Sequence, residues 1–172
     1  LCLLPSDHAI PDAARFRADL AAACTYAATH QRVTILGLSP TEPSTGYGYI
    51  ERGRLLSRGA SRPLVYEVAR FHEKPSREKA AAYLAQGGYY WNAGMFVLPV
   101  PVIEEAIRQH LPATARSMDR LAQVPERDWE KELERIFPEM EATSIDFGLM
   151  EKMSVLAVLE AGFAWNDLGS FT

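Results

Sequence analysis

The order of apolar patterns between Leu1 and Leu38 limits what this chain can fold into more than any other feature. Leu1-Cys2-Leu3-Leu4 reads as a short buried strand stopped by Pro5. Asp12 can cap the helix that follows, in which Phe16, Leu20, Ala23 and Ala27 recur at spacings of three and four and share one face. Val33 to Leu38 is then a second apolar strand, ending at Gly37-Leu38-Ser39-Pro40. Strand, helix, strand implies a crossover with parallel pairing.

The remaining pattern continues the alternation. A loop rich in Pro, Ser, Thr and Gly runs from Pro40 to Gly48, and two shorter strands, near Tyr49-Ile50-Glu51 and from Leu64 to Phe71, predict an antiparallel excursion over the sheet edge. Ser76 can cap a second helix, through Tyr83-Leu84 to Gln86, closed by Gly87-Gly88. Tyr90 to Leu98 reads as a strand interrupted by Gly94. Val102, Ile103, Ala106, Ile107, His110 and Leu111 form a helical stripe that Pro112 helps to stop, and Trp129, Leu133, Ile136 and Phe137 form another before Pro138. Ile145 to Lys152 predicts a short helix capped by Ser144 or Asp146, and Val155 to Leu159 a last strand.

Composition excludes several classes of function. At 48% hydrophobic and 23% charged over 172 residues, the chain has the makings of a packed core. A formal charge of −4 gives no general attraction to nucleic acid or an anionic membrane. No apolar run approaches the roughly 20 residues that cross a bilayer. Cys2 and Cys24 lie in an apolar run and an alanine-rich helical segment, and read as free buried thiols rather than a bridge, which points to a reducing cytoplasm. Neither Leu1 nor Thr172 lies in the polar, loosely held sequence usual at a domain boundary, so the expectation is an internal stretch of a longer enzyme.

In an open parallel sheet, ligands bind beyond the carboxyl ends of the strands. Asp7 follows the first strand directly, placed either to hold a hard divalent cation or to bond its own turn. His30, His72 and His110 lack metal-ligand spacing and do not suggest zinc. Gly46 and Gly48, in Thr45-Gly46-Tyr47-Gly48-Tyr49, mark a backbone that must turn or admit a ligand closely. Glu73 and Lys74 end a strand before Pro75; lysine offers phosphate a compact charge and glutamate accepts from sugar hydroxyls, while a solvated ion-pair turn is the alternative. Asn92 interrupts an apolar run and needs partners, from a ligand hydroxyl or neighbouring backbone, because an unpaired buried amide costs about 1–3 kcal/mol. Asp146 reads locally as a helix start, and Asp167 sets a second carboxylate after an apolar strand, able to share a cation with Asp7 if the fold joins them. No Ser-His-Asp or Cys-His order, dinucleotide fingerprint or Walker loop stands out, which favours transfer between two bound ligands over a protein nucleophile.

Taken together, LPSDH at 4–8, TGYGYI at 45–50, FHEKP at 71–75, WNAGMF at 91–96, SIDFGLMEK at 144–152 and WNDLGSF at 165–171 resemble mannose-1-phosphate guanylyltransferases, in that family's order. The resemblance implies an α/β nucleotidyltransferase domain over residues 1–172, with a doubly wound, mostly parallel, Rossmann-like sheet, incomplete at its N-terminus. It implies transfer of GMP from GTP to mannose 1-phosphate, giving GDP-mannose and pyrophosphate, with Mg²⁺. By motif, Asp7 and Asp167 correspond to metal carboxylates and Lys74 to the group holding the sugar phosphate, these three forming the catalytic set. Gly48, Glu73 and Asn92 correspond to mannose contacts, with Asp146 lining the same end of the pocket. His72 stands where the family commonly has an apolar residue, and Leu168 and Phe171 where it often has Val and Trp. The family's glycine-rich loop, which grips the nucleotide phosphates, lies upstream of Leu1, so residues 1–172 alone are expected to be inactive, and any homo-oligomer is expected to form through segments outside them. Two alternatives stay open: another hexose-1-phosphate nucleotidyltransferase, or a non-catalytic regulatory subunit that binds GDP-mannose.

Overall fold

A computed structural model describes residues 1–57 and 63–168. The Gly169-Ser170-Phe171 part of the last motif lies outside the described residues. The chain divides into two compact units, one of Leu1–Pro99 with Ser154–Thr172 and one of Val100–Met153.

The first unit is built on strands β1 (Cys2–Leu3), β2 (His8–Ala9), β3 (Val33–Leu38), β4 (Gly48–Leu55), β5 (Val65–His72), β6 (Tyr89–Val97), β7 (Leu156–Glu160) and β8 (Asn166–Asp167), with helices α1 (Ala13–His30) and α2 (Arg77–Gln86). Both helices start where a side chain satisfies an orphan amide: Asp12 accepts from Arg15 N at 2.9 Å, and Ser76 Oγ from Lys79 N at 3.4 Å. Gly87, at φ 70°, ends α2 as its composition predicts.

The larger sheet runs β1-β6-β3-β7-β5-β4, and a further β6–β4 pairing closes β6, β3, β7, β5 and β4 into a five-stranded barrel. Among the described residues only β3 and β7 pair in parallel; the other neighbouring pairs are antiparallel. This corrects the expectation of a doubly wound, mostly parallel open sheet. The reason is that a helical crossover sets the direction of two strands but not their adjacency. β1 and β3, joined through α1, both run antiparallel to β6, which lies between them. β5 and β6, joined through α2, likewise have β4 between them. β4 and β5 are therefore integral to the barrel rather than an excursion over its edge.

All six residues of β3 are buried. Leu36 and Leu38 join the cluster that includes Ala23 and Ala27 of α1, with Phe16 and Leu20 packed against it, so the helical stripe read from sequence does face the core. On the opposite face Gly37 looks across to β7 and β6: a Cβ there would collide with Val158 Cγ2 and lie 2.9 Å from Tyr90 Cβ. Tyr90 is 4% exposed, and its hydroxyl donates to Glu160 at 2.8 Å while accepting weakly from Arg52. Two further expectations need correction. β1 is exposed, with Leu1 and Leu3 largely open, because of the strands only β6 pairs with it. The cysteines are free but not buried, Cys2 being exposed and Cys24 half-buried.

The second unit consists of α3 (Val100–His110), α4 (Pro112–Ala122), α5 (Trp129–Ile136) and a single π-helical turn at Asp146–Met150. Pro112 opens α4 as well as closing α3, since its missing amide would be an orphan at that position anyway. Ser144 Oγ accepts from Phe147 N at 3.3 Å, resolving the choice of cap before the π turn. Arg108 binds Asp119 in bidentate fashion at 2.9 and 2.7 Å, joining α3 to α4. The Trp129 stripe does form a helix, but only Ile136 is buried in it, and Trp129, Leu133 and Phe137 are exposed. Leu111, before α4, offers no capping side chain, and Glu141 supplies one from a distance: it accepts from Ala113 N at 2.9 Å, Thr114 N at 2.7 Å and Thr114 Oγ1 at 2.5 Å.

Two predictions follow from these contacts. Gly37→Ala should destabilise the protein by about 1–3 kcal/mol in urea unfolding, since buried neighbours from two strands leave no room for a methyl. An unchanged midpoint would show that the barrel can yield there. The hydrogen bond from Thr114, with the amides of Ala113 and Thr114, holds the Glu141 carboxyl at about 2, below its ordinary 4.5. A depressed carboxyl stabilises the fold above its unfolded pKa, and that contribution is lost as pH falls from 4.5 toward 2. Urea midpoints measured across this range should therefore fall less steeply in Glu141→Gln than in the unsubstituted protein.

Candidate functional site

The first unit brings most of the sequence-predicted residues to one region through strand register. Gly48 and Asn92 are directly opposed in the β4–β6 ladder. Glu73, just beyond β5, reaches over Gly48 so closely that a Cβ on Gly48 would lie 2.5 Å from Glu73 Oε2 and 3.4 Å from Asn92 Cβ. A side chain on Gly48 would therefore have to displace the Glu73 carboxylate. Asn92 is half-buried, and its Oδ1 accepts from Gly94 N at 3.0 Å, so neighbouring backbone supplies one of the partners its position demands. Gly94, at φ 67°, lies where β6 slips its register against β3, which is the interruption read from sequence.

Lys74 is exposed, its Nζ 4.0 Å from Glu73 Oε1. Its φ of 42° puts a non-glycine residue in the left-handed region, immediately before a proline. Such backbone costs about 1–3 kcal/mol and is concentrated at functional sites.

The small β2–β8 pair sets the backbone at Asp7 beside that at Asp167, with Asp7 one position before the residue that faces Asp167. His8 is opposite Asp167 and Ala9 opposite Asn166, and Leu168 N donates to Asp7 O at 3.2 Å. Asp7 is exposed and Asp167 half-buried. No group of three or more His, Cys, Asp or Glu able to hold a metal occurs among the described residues. Mg²⁺ takes hard carboxylate oxygens when substrate phosphates and water complete its shell. Asp146 lies in the second unit, at the start of the π turn, where its carbonyl accepts from Glu151 N at 3.0 Å.

An aromatic bridge that sequence reading missed connects the carboxylates with the Gly48 cluster. Tyr47 meets Trp91 and Trp165 edge-on, at ring separations of 5.1 and 5.0 Å, and Trp165 meets His8 at 5.1 Å. Burial and then the Asp167 carboxylate push the Tyr47 phenol above its ordinary pKa. The signal was available: Tyr47 precedes Gly48, Trp91 precedes Asn92, and His8 follows Asp7. Trp91 Nε1, Trp165 Nε1 and His8 Nδ1 are buried without a hydrogen-bond partner among the described residues.

The segment carrying Asp167 is anchored from behind. Asp19 of α1 is 1% exposed; it accepts from Gly162 N at 2.7 Å and pairs with Arg15 Nε at 3.1 Å. The Arg15 guanidinium occupies the place a side chain on Gly162 would take.

The profile of the family described as nucleotidyl transferase matches residues 1–172. A mannose-1-phosphate guanylyltransferase of Sinorhizobium fredii is 40% identical over 173 residues, which cover 99% of this chain and 33% of that protein. The xanthan biosynthesis protein XanB of Xanthomonas campestris is 38% identical over 174 residues, covering 100% of this chain and 36% of that protein. A crystal structure described as a mannose-1-phosphate geranyltransferase from Thermus thermophilus superposes with a TM-score of 0.83 at 36% identity, over 98% of this chain and 46% of that one. The chain thus spans about a third of the length of the curated relatives it matches.

The contact between Gly48 and Glu73 can be tested directly. In Gly48→Ala the carboxylate must retreat by about 1 Å to reach ordinary contact distance. A crystal structure of the variant should show Glu73 displaced and the backbone of β4 in place. Glu73 unmoved, with β4 shifted instead, would contradict the packing described.

Proposed function

The chain belongs to the nucleotidyl transferase family, as a sugar-1-phosphate nucleotidyltransferase closely related to mannose-1-phosphate guanylyltransferases, and from that premise we propose that the complete protein transfers GMP from GTP to mannose 1-phosphate. The products are GDP-mannose and pyrophosphate. What carries this reading is the convergence of Gly48, Glu73 and Asn92 in one unit with a pair of adjoining carboxylate residues, in a chain 40% identical to such an enzyme.

A phosphate oxygen of mannose 1-phosphate attacks the α-phosphorus of GTP in line, and the bond to the pyrophosphate oxygen breaks. Negative charge shifts onto the leaving pyrophosphate, so catalysis is largely positioning and charge compensation. Glu73 and Asn92 hold sugar hydroxyls through oxygen acceptors and the Asn92 amide. Lys74, exposed beside Glu73, offers a positive charge to the sugar phosphate. Bound between Asp7 and Asp167, Mg²⁺ would supply further charge compensation at the phosphates. Tyr47, Trp91 and Trp165 exclude water between these groups. No helix among the described residues is long and apolar enough to cross a membrane, and the proposal puts the enzyme in the cytoplasm with the GTP it consumes.

Pyrophosphate release by the complete protein, measured with each nucleoside triphosphate and sugar 1-phosphate, tests the reading. GTP with mannose 1-phosphate should be preferred; preference for dTTP or ATP with glucose 1-phosphate would overturn the assignment. Asp7→Asn and Asp167→Asn should each lower turnover and weaken its Mg²⁺ dependence. For Asp7, which is exposed, the effect on stability should stay within about 0.5 kcal/mol. Unaltered turnover in both variants would remove the carboxylate pair from the mechanism.

A further inference from the structure

The chain contains two cysteines, 22 positions apart in sequence, and the fold brings their sulfurs to 3.6 Å as free thiols. Cys2 belongs to β1 and Cys24 to α1. A disulfide holds its sulfurs about 2.05 Å apart, so closure needs a further approach of about 1.5 Å, within reach of small side-chain rotations. Cys2 is exposed to solvent, and Cys24 lies half-buried behind it.

We infer that Cys2 and Cys24 form a redox pair that closes to an intramolecular disulfide when met by a low-molecular-weight disulfide such as oxidised glutathione. The exposed Cys2 thiolate attacks one sulfur of the oxidant, whose S–S bond breaks and releases one thiolate. The Cys24 thiolate then attacks Cys2 Sγ in the mixed disulfide and expels the second. Two protein thiols lose two electrons and two protons in all, and one molecule of oxidant is reduced to two thiols. Burial, followed by the contact with Cys2, raises the Cys24 thiol pKa, which makes Cys2 the point of entry and Cys24 the resolving partner.

The bond would enclose the segment from Leu3 to Ala23, which contains Pro5-Ser6-Asp7-His8 and the capped start of α1. Among the described strands, β1 pairs with β6. Oxidation would therefore tie the exposed strand to the helix and restrict the turn that presents Asp7. This inference does not depend on the reaction proposed above, because its readout is the bond itself.

The complete protein, reduced and then incubated with oxidised glutathione, should give on peptide mapping a linked peptide joining Cys2 to Cys24. Dithiothreitol should abolish it, and Cys2→Ser should never form it. Thermal unfolding should shift upward on oxidation in the unsubstituted protein and remain fixed in Cys2→Ser, whose exposed position tolerates the change. Persistent glutathionylation of either thiol without closure, or linkage only between separate chains, would overturn the inference.

Discussion

A strand has two edges, and β6 has three partners; the first unit depends on how that conflict is resolved. Along one edge β6 pairs with β3. Along the other it pairs with β4 over Tyr89–Asn92 and with β1 at Phe96 and Val97. The change of partner falls at the register slip containing Gly94, whose positive φ lets the strand bend without ending. Bending there closes the barrel through β4. It also sets Asn92 opposite Gly48, so the irregularity that completes the sheet is the one that composes the candidate site.

A second constraint acts from the helical layer. Asp19 is a buried carboxylate on an alanine-rich helix, and its position is tolerable because Arg15 and the Gly162 amide both satisfy it. The amide it holds belongs to the short segment between β7 and β8, so α1 fixes the approach to Trp165 and Asp167. The aromatic contacts through Tyr47 then carry that placement across to Trp91. Carboxylates at one end of the region and polar acceptors at the other are thus held in one frame by packing rather than by direct bonds between them.

How much of this was legible in the sequence depends on the range of each interaction. The caps at Asp12 and Ser76, the stop at Gly87 and the interruption at Gly94 are local, and their residues announced them. The apolar stripe on α1 was legible because a helix repeats its face within a few residues. The sheet was not, since strand, helix, strand fixes relative direction while leaving open which strand lies between. Asp7 and Asp167 were recognisable as candidates one by one, but only the β2–β8 pairing joins them. Burial misled in both directions: Leu1 to Leu4 and Trp129 carry core-like patterns yet stand open, while the polar Asp19 is enclosed.

The one parallel pair has a consequence for the newborn chain. Val33 finds its partner only at Leu156, after the whole of the second unit has been synthesised. Until then β3 keeps an unpaired edge made entirely of residues destined for the interior. Such an edge recruits any extended segment, from its own chain or another, and closing it over so long a separation is slow. The helices of Val100–Met153 lie between the two strands in sequence, so this pairing has to close over a whole folding unit while β3 waits.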